Sequence, residues 1–591
     1  MTRIAGDVVS DEESDRDAEL TSFVQPSTSS NVATVAQGHR VRGDSIGGLT
    51  NDDAYVLAIV NPTSGESVAA KYVMRSLRST FGFERVFVLT AQVFSDPTAL
   101  QKSIRSHAVR FFLSHEVKGN DSQEILGRRG TLFVSGGDGT ISYVMEQLDA
   151  VREALEAEQR NFPVSDPRHG AVFVYPAVAV LPLGTGNDFS VCMGFGGGYV
   201  KHKVPCCIVN RIDDHVHKAL IAPSTPFDRW VVQIVPLSAV WKQLNKKKAG
   251  ACGQDAKSVV LNGASTHSTL PCGASDDSGT VRLWTEEELS VRIHSINWDE
   301  FHTSGDCQRL HFINYVSIGF DAYVLHKFSS FRSRHPTFCS TRWRNKLVYG
   351  AYSIKAALKC STIRKYIPAI CVPHPTRCVA SSTYAGADYA DDEAFCTSAV
   401  YRENRKPSYA ALTIPAHSKA LLVTNVNSYA AGTKPWGDGR GGLYRCKTDN
   451  CPMVITPVSV NDHKFEVQAL GGLLDMGLLQ LGMDGGACKI AQAREVIFFI
   501  LCTPADFVYP RDDLCTDANT NGGDAPGKGN GVNKSGKKIK NPLRVQVDGE
   551  PVACITEPVV MRITELQRPR VHVRCMNPHV VRPTAHSDVG L

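Results

Sequence analysis

An α/β unit built on a parallel sheet, followed by a β-rich unit with antiparallel strands, is the fold this sequence predicts. Two patterns predict it. Between residues 54 and 200, short and nearly uninterrupted apolar runs alternate with helix-length segments, as in parallel sheets covered on both faces. Beyond about residue 200 the helical rhythm fades into strand-like runs, the pattern of a sandwich or related double sheet. Composition sets the outer limits. The 591 residues are 42% hydrophobic and 21% charged, ordinary globular values. A formal net charge of +5 is too small for a dedicated nucleic-acid binder unless it is clustered. Eighteen cysteines form no C-x-x-C pair, which argues against zinc ribbons and fingers. The N-terminus is acidic where a secretory signal is basic and then apolar, and no apolar run approaches membrane-spanning length. The expectation is a large protein of a soluble, reducing compartment.

The elements follow in order. Residues 1–53 hold few large apolar side chains and many acids, and read as a disordered acidic tail. AYVLAIVN (54–61) is a buried strand ending in Asn-Pro, Val68 to Arg78 a helix, and ERVFVLT (84–90) a second strand. Pro97 to Val117 reads as helix, TLFVSGGDGT (131–140) as a strand with a glycine loop, and Ile141 to Glu158 as helix. AVAVLPLGTGNDF (177–189) is a fourth strand and loop opening a further helix. The later strands are 229–235, 311–319, 419–427, 464–470, 495–501, 542–549 and 559–566, with one helix, Asn345 to Lys359, among them. The polar stretches 246–280, 376–407 and 517–540 read as inserted surface loops. The domain division is therefore 1–53, 54–200, 201–575 and a C-terminal tail, 576–591.

The chemistry concentrates in three strand-end loops. In SGGDGT (135–140), glycines let backbone amides approach an anion, and the following helix N-terminus favours negative charge. Asp138 would repel bare phosphate, so its presence there fits a magnesium ligand or an acceptor for a hydroxyl proton. IVNPTSG (59–65) and LPLGTGNDF (181–189) end strands of the same sheet. Ligands of open parallel sheets bind beyond the strands' carboxyl ends, so the three loops can share one crevice.

These motifs resemble those of eukaryotic diacylglycerol kinases: NPTSG is similar to that family's NPKSGG, SGGDGT to its GGDGT, and VAVLPLGTGNDF to its VAVLPLGTGNDLAR. The later half matches through DRW (228–230), NYVSIGFDAYVLHKF (314–328), NKLVYG (345–350), TNVNSYAAGTKPWGD (424–438), FEVQALGGLLDMG (465–477) and VDGEP (547–551). Thr63, Glu66 and Val552 depart from the family pattern, and the H-x12-C-x2-C spacing of a C1 domain is absent from this sequence. The resemblance implies a phosphofructokinase-like nucleotide-binding domain and an antiparallel β-sandwich accessory domain with the site between them. It further implies transfer of phosphate from ATP, with Mg2+, to 1,2-diacylglycerol, giving phosphatidic acid. Sphingosine and ceramide kinases, NAD kinases and an inactive lipid-binding scaffold are the competing readings. Asn187 beside Asp188, SIGFDA and DGEP favour diacylglycerol.

Roles follow from this. Asn61, Pro62, Ser64, Gly65, Gly136, Gly137, Gly139, Thr140, Gly184, Thr185, Gly186, Asn187 and Asp188 would line the nucleotide site. Asp138, Asp548 and Glu550 are the candidate general bases, with Asp138 and Asp548 also candidate metal ligands. Asp548-Gly549 has the alternative reading of a hairpin turn, and Asp188 that of a helix N-terminal acid. Asp321 and Asp475 are expected to pair with nearby polar groups. Residues 326–346 mix cations with aromatics, and Lys528, Lys534, Lys537, Lys538 and Lys540 add more charge. Either cluster could meet an anionic membrane peripherally, from the cytoplasm, with no transmembrane segment and no nucleic acid; the alternatives are a solvated basic face over packed aromatics for the first and a soluble, flexible loop for the second. DDHVH (213–217) reads as a solvated loop and Cys206-Cys207 as a reduced pair.

Overall fold

The computed structural model describes residues 55–581, except 66, 114–128, 185–186, 199–202, 205–206, 209–211, 252–292, 336, 341, 368, 374–408, 413, 431, 446–451, 481–486 and 502–541. The acidic tail, the inserts at 376–407 and 517–540, nearly all of the insert at 246–280, Thr185, Gly186, Cys206 and the last ten residues lie outside the described residues.

The first sheet has the order Val86–Val88, Val56–Val60, Thr131–Gly136, Ala177–Pro182, Val571–Arg574, Ser224–Phe227. Its first five strands are mutually parallel and the last is antiparallel. Every residue of Val56–Val60, Thr131–Gly136 and Ala177–Pro182 is buried, which requires cover on both faces. Two helix pairs supply it: Ser67–Phe81 with Ile212–Ile221, and Thr98–His107 with Asp138–Asn161. The register sets Val60 beside Ser135 and Ser135 beside Leu181, so the three predicted loops leave the sheet at one level.

Two further six-stranded sheets are antiparallel throughout. One runs Gln308–Phe312, Trp230–Pro236, Val559–Glu565, Glu495–Ile500, Ala369–Pro373, Tyr409–Leu412; the other Ala487–Ala493, Phe465–Leu470, Ala420–Thr424, Tyr315–Gly319, Arg544–Val547, Glu550–Cys554. Trp230, Phe498 and Met561 of the first share one apolar cluster with Val316, Val423 and Phe465 of the second, and the Trp230 and Phe465 rings meet edge-on, 4.6 Å apart.

The outer faces of both sheets are apolar too, and this accounts for helices that periodicity missed. Val235, Ile497 and Val560 are covered by Leu237–Ala251 and by Trp298 and Phe301 of Trp298–Ser304. Tyr315, Ala420 and Leu422 are covered by Phe320–Arg334, Arg342–Lys359 and Leu473–Gln480. The expectation of one helix in this half is corrected accordingly. The single strand expected at 311–319 is two strands, one in each sheet, broken at Ile313-Asn314. The helix expected from Pro97 to Val117 ends at His107, and Arg110–Phe112 pairs with Val172–Val174. DDHVH is not a loop: it lies in the Ile212–Ile221 helix, with the His215 ring 2.8 Å from the Val180 carbonyl.

The chain crosses between the units more than once. Val571–Arg574 inserts between Ala177–Pro182 and Ser224–Phe227, with Val571 and Val573 fully buried. Both strands fall beyond residue 200, so membership of the first sheet does not follow the expected division. At this junction Arg229 grips Asp149 through two bonds of 2.7 and 2.9 Å, both side chains being buried.

Candidate active site

The crevice begins where the three strand ends stop. Asn61 continues the ladder by donating its N–H to Ser135 O at 2.9 Å, and its side-chain amide reaches Thr140 Oγ1 at 2.9 Å. Leu183 N–H donates to Gly136 O at 3.0 Å. The loops then pack backbone against backbone. A Cβ on Gly65, at φ +72°, would sit 1.9 Å from Leu183 O, and one on Gly184 would sit 2.6 Å from the Gly137 Cα. Only glycine permits such contact. A Cβ on Gly139 would meet nothing within 4 Å. Open space therefore lies beside Gly139 in the first turn of the Asp138–Asn161 helix, whose leading amides have no partner within the helix.

Three carboxylates converge at this mouth. Asp138 is buried and accepts the Asp188 N–H at 2.9 Å and the Phe189 N–H at 3.3 Å, so it caps the short Asp188–Cys192 helix. Asp188, also buried, accepts the Ser428 hydroxyl at 2.7 Å and the Gly432 N–H at 3.0 Å. Asp548 accepts three amides, from Ile313, Asn314 and Tyr315, at 2.8–2.9 Å. Burial, then the charges of Asp188 and Asp548, pushes the Asp138 carboxyl up to about 8. Burial pushes Asp548 up to about 6 against the pull of its three amides. Tyr315, buried beside all three acids, is pushed well above its ordinary value, first by burial.

The hairpin reading of Asp548-Gly549 holds. Val547 pairs with Glu550 across the turn, and Asp548 and Gly549 have φ of 48° and 80°, both left-handed, as a type I′ hairpin requires. That same turn aims the carboxylate at the amides of 313–315. Glu550 lies on the outgoing strand and is exposed. Partial burial raises its pKa while Arg332 lowers it. Asp321 bonds Ser317, Tyr429 and Gln546, and Asp475 accepts the Gly471 N–H, as expected of structural acids. Asn314 was not singled out from the sequence. It is fully buried, and both polar atoms of its side chain lack a hydrogen bond. Only the break between two strands, invisible to periodicity, sets it beside Asp548.

A glycine cradle at the carboxyl end of a parallel sheet, with two acids of its own unit meeting one, Asp548, from the second, is the arrangement of an α/β protein that binds its ligand at the strand ends. Comparison with known proteins gives the particular family. Residues 55–219 match the diacylglycerol kinase catalytic domain and residues 311–505 the diacylglycerol kinase accessory domain. The chain belongs to the diacylglycerol kinase family. It is 23% identical over 375 residues to probable diacylglycerol kinase 3 of Caenorhabditis elegans, covering 62% of this chain and 33% of that protein. It is 22% identical over 459 residues to diacylglycerol kinase 5 of Arabidopsis thaliana, covering 78% and 71%. The chain spans half or less of most of the curated relatives it matches. A remote structural likeness to yeast NADH kinase has a TM-score of 0.29 at 8% identity, covering 88% of this chain and 84% of that one.

Proposed function

We propose that the protein transfers the γ-phosphoryl group of ATP to the free hydroxyl of 1,2-diacylglycerol, giving phosphatidic acid. The observation that carries this reading is the meeting of Asp138, Asp188 and Asp548 at the open end of the glycine cradle. Phosphoryl transfer asks for positioning and charge neutralisation more than for covalent chemistry. The phosphates would lie over Gly137, Gly139 and the helix amides, with Asn61, Pro62, Ser64, Gly65, Thr140, Gly184 and Asn187 forming the rim; Thr185 and Gly186, outside the described residues, are assigned to the nucleotide from the motif alone. As the hydroxyl oxygen bonds to the γ-phosphorus, the bond from that phosphorus to the bridging oxygen breaks, ADP leaves, and the hydroxyl proton must be taken up. Asp138, at the head of the helix that follows the glycine loop and beside Asp188 and Asp548, is the acceptor this geometry supports.

Three carboxylates held together also fit a hard divalent cation, and Asp548 with Asp188 would hold Mg2+. Mg2+ would neutralise charge on the phosphates. Glu550, exposed and facing Arg332, is given no step. The same reading takes the first unit as a phosphofructokinase-like domain near 54–200 and the two antiparallel sheets as a β-sandwich accessory domain within 201–575. It places the enzyme in the cytoplasm, meeting its lipid by peripheral contact. Among the described residues no helix is long and apolar enough to cross a membrane.

The test is direct. Purified protein with labelled ATP and a mixture of diacylglycerol, ceramide and sphingosine should label diacylglycerol. Label confined to ceramide or sphingosine, or no label at all, would overturn the reading.

A further inference from the structure

The helical hairpin over the outer face of the second antiparallel sheet has an unusual charge. Residues 320–359 contain eight Lys and Arg and a single acid, Asp321, in a chain whose formal net charge is only +5. Asp321 is buried and engaged with Ser317, Tyr429 and Gln546, so it offers nothing to the surface. Arg332, Arg334, Arg344, Lys355 and Lys359 are exposed. The outward side of a hairpin of this length is therefore uniformly positive, where an ordinary soluble surface intersperses both signs.

The second helix, Arg342–Lys359, shows a second anomaly. Tyr349, Ser353 and Ala356 lie on its inward side, where Tyr349 and Ala356 join the cluster beneath. At 3.6 residues per turn, Leu347, Ala351 and Ile354 fall on the opposite side. That side of a surface helix is normally polar. Here Leu347 is 53% exposed and Ile354 59%, with Arg344 and Lys355 flanking them. The hairpin is also tied together by aromatic contacts. Phe328 stacks edge-on with Tyr349, and Phe331 with Tyr352 and Phe338, at ring separations of 5.7–6.3 Å. Phe338, at the connection, is itself 47% exposed.

We infer that this face of the hairpin is the surface on which the protein docks to an anionic lipid bilayer, with Leu347 and Ile354 entering the headgroup boundary. An apolar stripe bordered by cations on an otherwise well-packed helix is the form of an interfacial helix. Each cation near an anionic leaflet contributes attraction, and each buried leucine or isoleucine adds hydrophobic free energy. The placement also suits catalysis. The first helix packs against Arg544–Val547 and Glu550–Cys554, the strands flanking the Asp548 turn, and Arg332 acts on Glu550. Docking would hold the crevice beside the lipid surface. This assignment rests on the lipid-kinase reading for its meaning, although it is tested separately from it.

The experiment measures binding of the full chain to phosphatidylcholine vesicles with and without about 30% phosphatidylserine, at low and high salt. Wild type should bind the anionic vesicles and release from them as salt rises. Leu347→Asp with Ile354→Asp, both at exposed positions, should weaken that binding by about tenfold or more without moving the melting temperature. Arg344→Gln, Lys355→Gln and Lys359→Gln should each weaken it about fivefold, equivalent to ~1 kcal/mol per cation. Turnover of a short-chain, water-dispersed diacylglycerol should be unchanged in all five substitutions. Unchanged vesicle binding in the Asp double variant would overturn the assignment, as would equal binding to neutral vesicles. A concentration-dependent dimer abolished by the same substitutions would also overturn it, giving the stripe to a second copy of the chain. Absence of turnover in wild type with intact vesicle binding would strike the kinase reading and leave the docking surface standing.

Discussion

At the scale of single residues, Asp138 carries the sharpest expectation. Asp138→Asn keeps size and can still accept the shorter bond, from the Asp188 amide, through its one oxygen while losing the longer bond from Phe189, so the melting temperature should fall only modestly. The proton acceptor is lost, and kcat should drop by about 10²–10⁴. Near wild-type turnover would remove Asp138 from the chemistry. Gly139→Ala separates fold from phosphate binding. Its Cβ meets nothing and alanine is the better helix former, so stability should rise by about 0.5–1 kcal/mol. If phosphates occupy that space, KM for ATP should rise in the same variant.

The acids also predict a linked dependence on pH and cations. Burial and the neighbouring acids push the Asp138 carboxyl up to about 8 in the fold, from an ordinary 3.8. The folded state therefore binds more protons between these values, and this group's contribution to stability falls as pH rises through that window. A divalent cation among the carboxylates relieves the repulsion. Magnesium should then raise the melting temperature more at pH 8 than at pH 6, and a shift independent of pH would dissociate the cation from these acids.

At the scale of elements, the Asp548-Gly549 turn shows how one dipeptide does two things. The left-handed φ values demand residues that tolerate them, and the carboxylate ties the turn to the amides of 313–315. Asp548→Gly would keep the backbone geometry but orphan three amides. It should lower both stability and kcat, whereas Asp548→Asn should retain most of the stability and lose kcat. Thermal melts read beside turnover distinguish the two. The turn was legible from Asp-Gly between apolar runs. That it comes near Asp138 was not, because the two residues lie 410 positions apart in the sequence.

At the scale of the whole molecule, the two units are joined by a buried charge pair. Asp149→Ala would leave Arg229, 6% exposed, without its bidentate partner. Removing one member of such a pair costs about 3–5 kcal/mol. Chemical denaturation should show that loss, with the midpoint moving far more than for an exposed pair such as Arg105–Glu158. A loss below 1 kcal/mol would mean the junction does not depend on this pair.

What the sequence by itself determined is local and periodic. The buried strands 54–61, 131–136 and 177–182 were readable because both faces are apolar, and the glycine loops because backbone contact at Gly65 and Gly184 excludes any side chain. The acids at 138 and 548 were readable from residue type within motif. Tertiary structure alone decided the rest. The Phe320–Arg334 helix follows directly on a strand and has no clear apolar period, because Asp321 turns inward to a hydroxyl, a phenol and an amide. Val571–Arg574 joins the parallel sheet from the far end of the chain, a pairing that no local pattern encodes. The elevation of Asp138 likewise arises from a low-dielectric enclosure and two distant carboxylates, and proton affinity of that kind exists only after the chain has closed around it.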